Sequence, residues 1–114
     1  MAICQDRPVI ESGLAGLAQS IFASLGLATT SNYRGLPDSK RTVLILIDGL
    51  GYNSLRQYSD EFPIFKNFFS SDPLRSHFPT TTATNLVSLG TGELPGVHGM
   101  LGGRFLNGII LKAH

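Results

Sequence analysis

An α/β fold is predicted for this chain of 114 residues, and three observations predict it. The run TVLILID at 42–48 holds five consecutive aliphatic residues and stops at Asp48-Gly49. That is the signature of a parallel strand covered on both faces. Apolar residues recur at spacings of three and four over 14–25, the stripe of an amphipathic helix. A threonine-rich segment after Phe78-Pro79 opens another helix. The length suits a single domain.

Composition narrows the function classes. Hydrophobic residues make up 42% and charged residues 15%, a balance that folds rather than stays disordered. Nine Lys plus Arg against eight Asp plus Glu leave a net charge of +1. No basic field exists to gather nucleic acid or an acidic membrane surface. The lone cysteine, Cys4, supplies neither a disulfide framework nor a multi-thiolate metal site. No apolar run approaches the roughly 20 residues that span a bilayer, and the first residues lack the pattern of a secretory signal. A soluble, cytoplasmic chain is expected.

Each element follows in order. Leu14, Leu17, Ala18, Ile21, Phe22 and Leu25 share one stripe, predicting a helix over about 12–25 with Ser12 as N-cap and Gly26 as stop. Residues 28–41, with Gly35 and Pro37, read as a loop. The strand at 42–48 then carries the Asp48 carboxylate to the carboxyl end of a sheet, where open α/β sheets bind ligands. NSLRQYSD is a short polar helix or turn. Phe62, Phe65, Phe68 and Phe69 predict a helix pressing aromatics into the core. Residues 74–78 form a second strand after the Asp72-Pro73 turn. Thr80 or Thr81 caps the next helix, which carries Leu86, Val87 and Leu89. The glycines from Gly90 to Gly103 predict loop.

Two features bear chemistry, Asp48 at a strand end and the threonines at a helix start. If their strands are neighbours in a parallel sheet, both lie on one rim. A threonine hydroxyl is a weak nucleophile that a nearby cation activates. A carboxylate oxygen suits a hard divalent ion, and a helix N-terminus favours phosphate. The pair therefore points to a phosphoryl site. From the residues alone, the nucleophile is any of Thr80, Thr81, Thr82 or Thr84, and an ordinary turn with an ordinary cap is the bland reading.

Three ordered pieces carry a resemblance: VLILIDGLG, FPTTTATN, and TGELPGVHG. From about Thr42 to Met100 the chain resembles the type I phosphodiesterase/nucleotide pyrophosphatase family of the alkaline phosphatase superfamily. The resemblance implies a three-layer α/β/α, alkaline-phosphatase-like sheet of mainly parallel strands, of which residues 1–114 are the N-terminal, incomplete part. It implies a metal-dependent hydrolase of phosphodiester or nucleotide pyrophosphate bonds with two zinc ions. Asp48 ligates one zinc. Thr82, chosen by its spacing to Asn85, is the nucleophile and a metal ligand. Asn85 and Gly103 bind substrate; Gly103 stands where many members carry an asparagine, so only its N–H is left to donate. The expected partner is a small-molecule phosphodiester or nucleotide. His77, His98 and His114 match no family ligand position, and His98 is expected to support its loop.

Two protein oxygens cannot satisfy two four-coordinate zinc ions. The isolated chain is therefore expected to be inert, and its unpaired sheet edge to make it marginally stable and prone to associate. A phosphate- or nucleotide-binding module without catalysis is the alternative. A Rossmann unit is weaker, because GLG at 49–51 falls short of G-x-G-x-x-G.

Overall fold

The computed structural model describes residues 9–27, 31–70 and 72–105. The chain divides into two compact units, one of Met1–Thr42 with Arg75–His114 and one of Val43–Leu74.

In the first unit, α1 (Val9–Ser12) and α2 (Leu14–Ser24) are separated by Gly13 alone. The single helix predicted from Ser12 is thus broken. Gly13 is extended, with φ −109° and ψ −177°, and forms a parallel bridge to Arg75. Only glycine fits at this position: a Cβ on Gly13 would stand 2.2 Å from His77 Cε1. Ser12 does not cap α2; its carbonyl accepts the Arg75 N–H at 2.9 Å. At the other end Gly26 is the stop the sequence predicts. Its φ is +83°, and the Gly26 and Leu27 N–H groups return to Ala23 and Phe22 carbonyls at 3.0 Å each, a Schellman closure.

Helix α2 packs against α4 (Thr82–Thr91). Its buried face is small rather than leucine-rich. Ala15, Gly16, Ala18, Ser20 and Ser24 are buried, whereas Leu14, Leu17, Ile21 and Phe22 are only half-buried. Helix α4 likewise buries Thr84, Asn85 and Ser88 and leaves Leu86 46% exposed. Short side chains let the helices approach, and their polar atoms are paired. Among the described residues, no buried side-chain nitrogen or oxygen lacks a partner.

The cap of α4 is Thr81, whose hydroxyl accepts the Thr84 N–H, and Gly92 closes its far end at φ +72°. The glycine-rich stretch predicted as loop holds more structure. Helix α5 (Pro95–His98) starts on a proline and ends on left-handed Gly99, the asymmetry expected of a short helix. Strands β1 (Met100–Leu101) and β2 (Arg104–Phe105) then pair antiparallel around Gly102-Gly103, a two-residue turn that glycine favours.

The predicted strand at 42–48 does not form. Residues 41–47 are exposed and irregular. A strand covered on both faces needs neighbouring strands and overlying helices, and among the described residues this run has neither. Of the strand predicted at 74–78, only the Gly13–Arg75 bridge exists. The three-layer parallel sheet is not seen among the described residues.

In the second unit, an exposed Asp48-Gly49 turn follows the aliphatic run, with Gly49 at φ +76°. Helix α3 (Tyr52–Gln57) buries no residue. The aromatic segment is a 3-10 helix over Pro63–Ser70, not an α-helix driven into a core. A three-residue repeat brings i and i+3 onto one edge. The Phe62 and Phe65 rings accordingly lie 6.0 Å apart, tilted by 57°, with Phe62 still 52% exposed. The Phe68 and Phe69 side chains lie outside the described residues.

Candidate functional site

Thr82 is the first residue of α4 and is exposed. The neighbouring threonines define its setting. Thr81 Oγ1 accepts the Thr84 N–H at 3.3 Å and donates to Thr84 Oγ1 at 2.8 Å. Thr84 is fully buried, and its Oγ1 also accepts the Gly102 N–H at 2.9 Å. The turn of the β1–β2 hairpin is thereby tied to the first turn of α4. Gly103, beside Gly102 in that turn, is exposed.

Asn85 lies one turn into α4 and is buried. Its Oδ1 accepts the His77 N–H at 2.7 Å. Its Nδ2 faces the Thr81, His77 and Pro79 carbonyls at 3.0, 3.3 and 3.4 Å. One amide thus holds the backbone from 77 to 81, the segment that delivers the chain to Thr82.

Two histidines flank this cluster, each accepting a backbone N–H on one ring nitrogen. The Ala15 N–H donates to His77 Nε2 at 3.0 Å, so that nitrogen carries no proton. Burial holds the His77 pKa below the ordinary 6.5, and the His98 charge lowers it further. His98 Nδ1 accepts the Met100 N–H at 3.1 Å. Its Nε2 therefore bears the proton and donates to Ser88 Oγ at 2.8 Å. This direction makes the Ser88–His98 pair a clamp between α4 and α5 rather than a nucleophile with its base. His98 supports its loop, as the sequence predicts.

The structure gathers Thr82, Asn85 and the Gly103 turn around the start of α4. Asp48 sits in the other unit, on its exposed turn. Sequence reasoning weighed Thr84 only as one of four possible nucleophiles, set His77 aside as matching no family ligand position, and gave Gly102 no role beyond loop. The Thr81–Thr84 spacing of a capped first turn was the available signal for Thr84; Gly102 and His77 act through contacts distant in sequence. Cys4 and His114 lie outside the described residues.

Among the described residues, no group of three or more His, Cys, Asp and Glu side chains is placed to hold a metal ion. A shallow depression at the end of α2, lined by Ser24, Leu25, Gly26, Asp38, Ser39 and Lys40, contains none of the predicted site residues. No described helix is long and apolar enough to cross a membrane.

A family model described as type I phosphodiesterase / nucleotide pyrophosphatase matches residues 42–108, more than half of the chain. Neither the curated proteins nor the solved structures yield a match.

Proposed function

Because the chain belongs to the type I phosphodiesterase / nucleotide pyrophosphatase family, an alkaline-phosphatase-like α/β family of hydrolases, we propose that it carries the nucleophile-bearing part of such a catalytic domain. Its substrate class is a small-molecule phosphodiester or nucleotide pyrophosphate. Thr82 is the nucleophile. The observation that supports this reading is the exposed Thr82 as the first residue of α4, inside the matched region.

The first N–H groups of a helix have no intrahelical partner, and here the Thr81 hydroxyl takes that of Thr84. The N–H groups of Thr82 and Ala83 are left to draw a phosphoryl oxygen toward the Thr82 hydroxyl. The Gly103 N–H, in the turn docked on the same helix end, is a further donor. Asn85 acts on substrate through the 77–81 backbone that it holds in place. In-line attack by Thr82 forms a bond to phosphorus and breaks the bond to the alcohol or nucleotide, leaving a phosphothreonyl group for water to hydrolyse.

Zinc is a separate matter. His77 and His98 spend ring nitrogens on backbone N–H groups, and Asp48 and Thr82 alone are too few donors for two four-coordinate ions. The described residues do not fit a two-zinc centre. In our reading, Asp48 supplies one donor to a centre whose remaining ligands are not assembled here, and this chain alone is inert. The strand at 42–48 then belongs inside the family sheet, paired and covered only in a complete three-layer domain.

The test is a chromogenic phosphodiester assay with added zinc, beside calorimetric zinc titration. No turnover and no stoichiometric tight binding are expected. Turnover abolished by Thr82→Ala would refute inertness yet keep the nucleophile. Turnover that survives Thr82→Ala would remove the nucleophile from consideration. Nucleotide binding that persists in chelator would favour the non-catalytic module. A chimera with residues 42–108 replacing the same region of an active family member should trap phosphate on Thr82.

A further inference from the structure

We propose that Thr84 is a positioning residue: its buried hydroxyl fixes the Gly102–Gly103 turn against the cap of α4 and so sets where the Gly103 N–H stands relative to Thr82. The inference rests on the reading of Thr82 as nucleophile and adds to it a residue that acts through another.

Hydroxyls inside a helix commonly bond back to a carbonyl one turn earlier in the same helix. Ser20 and Thr91 do so, donating to the Gly16 and Val87 carbonyls at 2.7 Å each. Thr84 and Ser88 differ. They lie one turn apart on α4, both without exposed surface, and both turn to the segment 98–102. Ser88 Oγ pairs with the His98 ring at 2.8 Å, and Thr84 Oγ1 accepts the Gly102 N–H at 2.9 Å.

The two contacts hold different ends of the hairpin. His98 also accepts the Met100 N–H, so it anchors the base, where β1 begins. Thr84 anchors the tip. Gly102 there has φ +72°, a conformation that glycine adopts freely. A Cβ built on it would stand 3.8 Å from Thr81 Cγ2, so the turn lies against the cap residue next to Thr82. Thr84 Oγ1 accepts from both Gly102 and Thr81, coupling turn to cap through one atom. Valine has nearly the same shape but no acceptor and leaves the Gly102 N–H unpaired; serine keeps the acceptor. With the base still clamped by His98, loss of the tip contact frees the turn without undoing the hairpin.

Amide exchange and chemical shifts of the full 114-residue chain test this. In Thr84→Val the Gly102 amide should exchange about fivefold faster or more, while the Met100 amide and the α4 amides from Leu86 onward keep their rates. Thr84→Ser should restore Gly102. Titration with inorganic phosphate supplies the functional readout. The Thr82, Ala83 and Gly103 amides should shift in the unaltered chain, and Thr84→Val should abolish the Gly103 response alone. An even rise in exchange along α4 would make Thr84 a structural residue and overturn the proposal. So would an unchanged Gly102 rate, a serine variant that fails to rescue, or a Gly103 response indifferent to Thr84→Val. Silence at all three amides in the unaltered chain is a failure of the underlying reading, and the role falls with it; the exchange rates tell the two failures apart.

Discussion

The imidazole of His77 accepts the backbone N–H of Ala15 through Nε2 at 3.0 Å, joining the start of α2 to the segment that leads into α4. The acceptor exists only in the neutral ring. Four predictions follow the connections of this contact.

Acid should loosen the first unit. His77 binds its proton less readily when folded than at the ordinary 6.5, through burial first and the His98 charge second. The unfolded chain therefore takes up more protons as pH falls, and stability drops with it. The contribution is intact above about 6.5 and is lost as pH falls below that value toward the depressed folded value. Thermal melts at pH 8 and pH 5 should show the lower midpoint in acid, with the difference reduced in His77→Gln. Equal midpoints would contradict the assignment.

Gly13→Ala should destabilise by about 1–3 kcal/mol, the range of overpacking in a tight interior. The added Cβ meets His77 Cε1 at 2.2 Å and Nε2 at 2.7 Å, and that ring is buried and bonded. In a His77→Ala background the same change should be much milder, because the obstacle is gone. Additive denaturation energies would show that the clash is not with His77.

Asn85→Leu should lower stability by about 2–3 kcal/mol, since it strips the buried His77 N–H of its acceptor and three carbonyls of their donor. Asn85→Asp keeps the acceptor but turns a carboxylate oxygen toward those carbonyls, so it should not rescue. Urea titration separates these outcomes, and rescue by aspartate would assign the weight to the His77 N–H alone.

Adjacent threonines should behave oppositely. Thr81→Ala removes the α4 cap and should cost about 1 kcal/mol, with faster amide exchange at Thr84. Thr82→Ala, at an exposed position, should change stability by less than about 0.5 kcal/mol. Its effect belongs to phosphoryl chemistry in the chimera. A large loss of stability from Thr82→Ala would make Thr82 a structural residue.

Much of the local structure was legible. The Gly26 stop, the Thr81 cap and the irregular stretch ahead of the aliphatic run are set by backbone chemistry within a few residues, which a linear reading sees. The break at Gly13 was not legible, because its bridge partner Arg75 and the His77 ring beside it come from far along the chain. The hairpin at Gly102-Gly103 hid among other glycines, although Pro95 and Gly99 marked the helix before it. Of the candidate site, Thr82 was legible only through motif spacing. The Thr84–Gly102 bond that ties the hairpin turn beneath it was not.

By itself the sequence determined the family, because motif order and spacing survive whatever the chain packs against. It also determined the α2 stop at Gly26 and the α4 start at Thr81, whose hydrogen bonds close locally. Only the tertiary structure decided which faces are buried: the small and polar face of α2 and α4, not the leucine stripe, since close approach and paired polar atoms outweigh side-chain size there. It likewise decided the state of 42–48. Aliphatic content makes a strand possible, but a ladder needs a partner, and this run awaits one.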